Sequence, residues 1–184
     1  MTRTRNPELT RAALLEAAGR VLQTQGAALS LDAVAREAGV SKGGLLHHYP
    51  SREALLSALA HALLGRFRER LAEAHAREVA AGGDRPGAWV RAYIEVSFTP
   101  DAEGDALCAA LAPLAGHPEL LAGLREAQAF LLGEAEADGL SPGRAPAIRL
   151  ACDGLWLGSL TGLPDLSPHQ RTALREELLT WTRA

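Results

Sequence analysis

Cysteine is nearly absent from these 184 residues. The two present, Cys108 and Cys152, lie far apart in stretches that read as helix, so they are expected to be buried apolar thiols rather than a redox pair. Long hydrophobic runs are missing too. No uncharged apolar stretch reaches the roughly 18 residues that mark a membrane span. The opening MTRTRNPELT carries positive charge but no apolar segment, so no signal peptide is expected. No segment alternates apolar and polar residues as a half-buried strand does, and no internal repeat is evident.

Catalytic and metal-binding constellations are also lacking. Gly139-Leu140-Ser141-Pro142-Gly143 has the spacing of a serine nucleophile elbow, but that turn needs a preceding strand and the N–H of the residue after the serine. Pro142 has none. Gly39 to Gly44 has phosphate-loop glycine spacing, but Leu45 and Leu46 stand where Lys and Ser/Thr would hold phosphate and metal. His47 and His48 diverge by about 100° on a helix, and no Cys or acidic residue has ligand spacing to them. No enzyme activity, metal or cofactor is expected.

What the chain does have is helix punctuation. Apolar residues make up 47% of it, ample for a core. Ser30 can cap a helix from Leu31 to Ala38, with Leu29 and Val34 as its hydrophobic staple. Gly39 is a left-handed stop. Ser41 can cap a second helix, which ends near Tyr49-Pro50 because a residue before proline avoids the helical region. Ser51 can cap a third, starting at Arg52. Two short helices joined by a short turn containing Gly form a helix-turn-helix pattern, whose second helix enters the major groove of DNA.

Charge distribution agrees. The whole chain carries a formal −3, but residues 1–52 hold seven Lys/Arg against four Asp/Glu, a local +3. A basic share that coincides with the helix-turn-helix is the expected electrostatic footprint. Ser41, Lys42, Gly43, Gly44, His47, His48, Tyr49 and Arg52 are the candidate DNA contacts. Lys42 can reach a phosphate or a guanine edge. The two glycines permit close approach, the histidines and Tyr49 offer donors and flat faces, and Arg52 suits another phosphate. The alternative reading is that His48 or Tyr49 packs inward to hold the three helices together. Arg3 and Arg5 precede the first helix, where they read either as DNA contacts or as a solvated tail.

The rest of the chain reads as further helices. The first opens at Asn6 and Pro7, with Ala13, Leu14, Ala17, Ala18, Val21 and Leu22 on one face, and Gly26 ends it. A long helix runs from Arg52 to about Ala81, a rod able to carry motion. Five more follow: Pro86 to Phe98, Gly104 to Ala115, Pro118 to Asp138, Pro146 to Leu163 and Pro168 to Thr182. The expected fold is all-α, about nine helices, with residues 1–53 as a DNA-binding domain and 54–184 as a larger helical domain.

The helix around residues 147–163 is apolar nearly all round. Gly154, Gly158 and Gly162 recur every fourth residue, sharing a face with Leu155. Each interior glycine costs about 1 kcal/mol relative to alanine, and close packing against another helix is the natural offset. With Leu174, Leu178 and Trp181 of the last helix, these residues are the expected homodimer seam. A dimer also suits a palindromic operator. Trp89, Tyr93, Leu107, Leu111, Phe130, Cys152 and Trp156 are the candidate small-molecule pocket, although for any one of them core is the better reading. Arg149 and Asp153 are polar insertions that either orient a ligand or pair with each other.

The segment from Ser30 to Leu55 resembles the TetR family of bacterial transcriptional regulators. The residues that carry the resemblance are Ser30-Leu31, Val34-Ala35, Ala38-Gly39-Val40-Ser41-Lys42-Gly43, Leu45-Leu46-His47-His48-Tyr49 and Ser51-Arg52-Glu53-Ala54-Leu55. One departure stands out: the family's usual tyrosine, often a phosphate contact, is replaced by Leu46. The resemblance implies an all-α fold, dimerisation through the last two helices and a cytoplasmic, double-stranded DNA-binding regulator. It is expected to be a repressor released by a small-molecule effector. The rivals are a DNA-binding regulator with no small-molecule effector, and a helical-bundle binding protein or enzyme with a vestigial DNA unit.

Overall fold

A computed structural model of the chain describes residues 7–82, 86–99, 102–111, 121–161 and 165–183. Among the described residues there are nine α-helices: α1 (Pro7–Gln25), α2 (Leu31–Glu37), α3 (Lys42–His48), α4 (Arg52–Gly82), α5 (Ala88–Phe98), α6 (Ala102–Leu111), α7 (Ala122–Ala137), α8 (Arg144–Thr161) and α9 (Pro168–Trp181). A short 3-10 turn, Gly26–Ala28, follows α1. No described helix is long and apolar enough to cross a membrane. The described residues divide between two compact units, Met1–Leu63 with Ala102–Gly123, and Leu64–Asp101 with Leu124–Ala184.

Local signals set the helix ends of the first unit. Ser30 Oγ accepts from Ala33 N–H, Ser41 Oγ from Gly44 N–H and Ser51 Oγ from Ala54 N–H. Each bond satisfies one of the donors that a helix start leaves unpaired. Gly39 has φ +65°, the left-handed conformation that stops α2. Leu14, Ala17, Ala18, Val21 and Leu22 of α1 are buried, while Ala13 is exposed. α1 packs against α2, against the 3-10 turn and against α6. Leu107 and Leu111, on α6, are therefore buried in this unit.

The second unit is built around α5, which packs on α8 and α9. α5 begins two residues later than its sequence expectation because Pro86 and Gly87 form a turn before it. Gly87 has φ +86°. An added Cβ there would lie 2.8 Å from Arg91 Nη1 and 2.9 Å from the Thr182 carbonyl oxygen, so the tight fit as well as the backbone demands glycine. Asp138, just past α7, caps α5 from far away in sequence. Its two carboxylate oxygens accept from Trp89 and Val90 N–H, both at 2.9 Å. α9 runs antiparallel to α5: Arg91 donates to the Thr182 carbonyl at one end, and Arg171 lies over the Phe98 ring near the other. Ser167 and Gln170 close α9 with a reciprocal capping box.

Candidate functional site

α3 is a seven-residue helix held by one anchor. Leu45 is fully buried, and burial of a leucine contributes about 1.5–3 kcal/mol. Ser41, Lys42, Gly43, Gly44 and His47 are exposed, and His48 is half-buried. The two histidine rings meet edge to face, 5.4 Å apart. An added Cβ at Gly43 would meet nothing within 4 Å, so no packing within the chain explains that glycine. Lys42 Nζ pairs with Asp32 Oδ2 of α2 at 2.9 Å. Beside α3 lies a notch of about 390 Å³, lined by Pro7 and Thr10 of α1, Val40, Ser41, Gly44, His47 and His48. Pro7, Thr10 and Asp32 were not singled out from sequence, because only the folded turn brings α1 and α2 to the start of α3.

Two expected contacts have other employment. Tyr49 is only 4% exposed, with the Arg11 guanidinium 5.6 Å from its ring centre. It packs inward, as the alternative reading allowed. Arg52 Nε donates to the Leu29 carbonyl at 2.9 Å, tying α4 to the loop that precedes α2. The tie engages Nε and leaves the side chain 28% exposed. Leu46 itself is 37% exposed. Arg3 and Arg5 lie outside the described residues.

The second unit does not gather the seven candidate pocket residues. Trp89 and Tyr93 stack with ring centres 5.4 Å apart and, with Cys152, belong to one buried cluster. Leu107 and Leu111 belong to the first unit instead. Phe130 is 44% exposed, with the Arg68 guanidinium 4.3 Å from its ring centre. Trp156 is half-buried. Residue type alone does not say which way a helix face turns.

What the second unit does contain is a polar cluster on the α8 side of that core. Tyr93 donates its hydroxyl proton to Asp153 Oδ1 at 2.5 Å. Arg149 lies 3.5 Å from Asp153 Oδ2, and its Nη2 donates to Gln128 Oε1 of α7. Arg149 Nε is buried without a hydrogen-bond partner among the described residues. Burial, then the adjacent Asp153 carboxylate, pushes the Tyr93 phenol well above its ordinary range. Burial also pushes the Cys152 thiol up to about 12, against a smaller downward pull from its hydrogen bond with Ser97.

The expected dimer seam divides. Leu178 is 1% exposed, inside its own unit's core, and Leu155 and Leu174 pack against that core. Leu178 is therefore taken up by its own unit, while Leu155 and Leu174 are only partly buried; the inward face of α8 is set by Ala145, Ile148 and Cys152. Gly154 is exposed, Gly158 is half-buried and Trp181 is exposed. Leu150 and Leu157 are also exposed, at 70% and 51%, and with Gly154 they line one face at helical spacing. Gly162 lies outside the described residues.

A serine-capped helix anchored by one buried leucine, presenting polar side chains and crossing from a second short helix after a left-handed glycine, is a helix-turn-helix DNA-binding module. Comparison with known proteins gives the family. Residues 14–59 match the model for bacterial regulatory proteins of the tetR family, and residues 87–183 match that for the tetracyclin repressor-like C-terminal domain. The chain belongs to the TetR family of DNA-binding transcriptional regulators, which are not enzymes.

Over 92 residues it is 41% identical to the HTH-type transcriptional regulator BetI of Rhizobium meliloti (strain 1021), a match that covers 50% of this chain and 43% of that protein. The matched stretch is thus less than half of that relative's length. A TetR-family member from Streptomyces coelicolor A3 is 26% identical, with 94% and 98% of the two chains covered and a TM-score of 0.65. The multidrug binding protein EbrR, solved in complex with ethidium, is 26% identical over the same shares of the two chains, with a TM-score of 0.63.

Proposed function

We propose that the chain is a homodimeric repressor, released from a palindromic operator by a small molecule bound in the second unit. The observation that carries the effector half is the Arg149 cluster. A mostly buried guanidinium with an unpartnered Nε, beside a stacked Trp–Tyr pair, is an unusual feature for a purely structural core, because an unsatisfied buried donor costs free energy. A ligand that offers an acceptor to Nε and a flat face to the aromatic pair removes that cost. EbrR, with its bound ethidium, is a relative whose structure holds a flat aromatic compound.

The exposed α8 stripe of Leu150, Gly154 and Leu157, with Trp181 on α9, supplies the surface for the second copy. Single exposed apolar residues are ordinary, but an aligned row on a helix marks an interaction face. α4, one helix of 31 residues, passes from the residues of the first unit into those of the second and is the element that transmits the change. Release requires that the effector bind the DNA-incompetent state more tightly than the competent one.

A mobility-shift assay on the DNA upstream of its own gene, with and without compounds chosen by a thermal-shift screen, tests the reading. The expected result is a sequence-specific shift that Lys42→Ala abolishes, reversed by a compound whose effect Arg149→Met removes. Sedimentation is expected to give a dimer that Leu157→Arg splits. Binding that no screened compound reverses would favour the rival regulator without a small-molecule effector.

A further inference from the structure

Lys42 is the chain's one lysine; every other basic side chain apart from histidine is arginine. It opens α3, and its ammonium sits 2.9 Å from Asp32 Oδ2 on α2. The two side chains are 54% and 61% exposed. A pair this exposed contributes little to folding, yet it places a carboxylate directly against the cation best positioned to meet DNA. Any phosphate that approaches Lys42 also approaches Asp32 and is repelled by it. The carboxylate therefore subtracts from the affinity that depends on phosphate alone, which is the affinity every duplex shares. What it can gain in return is confined to base edges. An acidic side chain in the major groove accepts a hydrogen bond from the N4 amino group of cytosine.

We propose that Asp32 is a specificity-determining residue of the DNA interface. In the free protein it holds Lys42. Against random duplex it opposes the phosphates. In the operator complex it accepts from a cytosine N4–H and releases Lys42 to the backbone. The proposal rests on the reading that the α3 surface meets DNA, and the test separates the two.

The test uses the full chain as wild type, Asp32→Asn, Lys42→Ala and the double variant. Duplexes are selected from a randomised pool, and a salt series is run on the tightest selected duplex and on random duplex. Asp32→Asn is expected to bind random duplex several-fold more tightly, to lower the ratio of selected to random affinity by about tenfold, and to lose the cytosine preference at one position of each half-site. A single lysine also permits a direct readout. After reductive methylation with isotope-labelled formaldehyde, the methyl signals of Lys42 and the terminal amine are the only ones expected by NMR. The Lys42 signal should move in Asp32→Asn and on adding the selected duplex. Circular dichroism melts of each variant confirm the fold. An unchanged affinity ratio and unchanged base preferences in a folded Asp32→Asn would overturn the proposal. If Lys42→Ala still weakens binding in that case, the α3 reading survives; if Lys42→Ala also binds as wild type, both fall.

Discussion

Arg52→Met separates two roles for a residue at the start of α4. The substitution keeps an unbranched apolar stem out to about the Nε position but loses the guanidinium whose Nε donates to the Leu29 carbonyl at 2.9 Å. A hydrogen bond from a charged donor contributes about 1.5–3 kcal/mol. The Arg52 side chain is 28% exposed, so water recovers part of the loss, which sets the expectation near the lower end, about 1.5 kcal/mol. For a chain of this size each kcal/mol moves the melting midpoint by about 2–4 °C, which gives a fall of roughly 3–6 °C. The assay pairs thermal melts with DNA affinity in a salt series well below the midpoint. A phosphate ligand contributes about 0.9 to the slope of log affinity against log salt. A tie within the fold contributes nothing to it. The expected result is a lower melting midpoint with the salt slope unchanged. A slope reduced by about 0.9 per bound chain, with the midpoint unmoved, would refute the structural role and restore Arg52 to the DNA interface.

Three further outcomes follow from the second unit. Asp138→Ala removes an acceptor shared by two N–H groups at the start of α5. Loss of a cap costs about 1 kcal/mol and loss of a negative charge at a helix start up to about 1 more, so urea unfolding should show a loss of about 2 kcal/mol, of which Asp138→Asn recovers a part. Gly87→Ala puts a Cβ against the Thr182 carbonyl in a left-handed backbone; that conformation alone costs about 1–3 kcal/mol, and a lower urea midpoint at constant m-value is the expected readout. Cys152 should resist iodoacetamide in the native state at pH 8 and react once unfolded, as read by peptide mapping. Its folded thiol is raised from 9.0 to about 12, so its contribution to stability is complete below pH 9 and is lost as pH climbs from 9 towards 12.

The legible parts of this molecule are those whose causes lie within a few residues. Ser30, Ser41 and Ser51 each reach an N–H three residues on, and Gly39 needs only its own backbone. A reader of sequence sees both ends of each such interaction at once, so the helix-turn-helix was visible at nearly residue precision. Interactions over longer separations were not visible. Arg52 meets a carbonyl 23 residues away, Asp138 caps a helix from 49 residues away, and α6 packs with α1. Nothing in those residues' own neighbourhoods announces the partner. α8 is hard to read for a different reason. A helix that is apolar nearly all round has no polar side to mark its outward face, so the sequence does not show that Leu150, Gly154 and Leu157 are its exposed row while Leu155 packs partly against the core.

The electrostatics of the first unit bear on how a chain of net charge −3 can serve as a DNA-binding protein. Among the described residues its cations are largely engaged within the fold: Arg20 with Glu37 at 2.7 Å, Lys42 with Asp32 at 2.9 Å, Arg52 with the Leu29 carbonyl and Arg11 above the Tyr49 ring. Docking on a duplex is then an exchange of internal partners for phosphates. The exchange returns less than a free cation would, because each transfer leaves behind a carboxylate, a carbonyl or a ring that had been satisfied. Each such exchange is expected to offset part of what a phosphate contact gains, and so to lower the affinity every duplex shares. Discrimination is then expected to rest on side chains that reach base edges, so a reading head can be selective without being strongly basic.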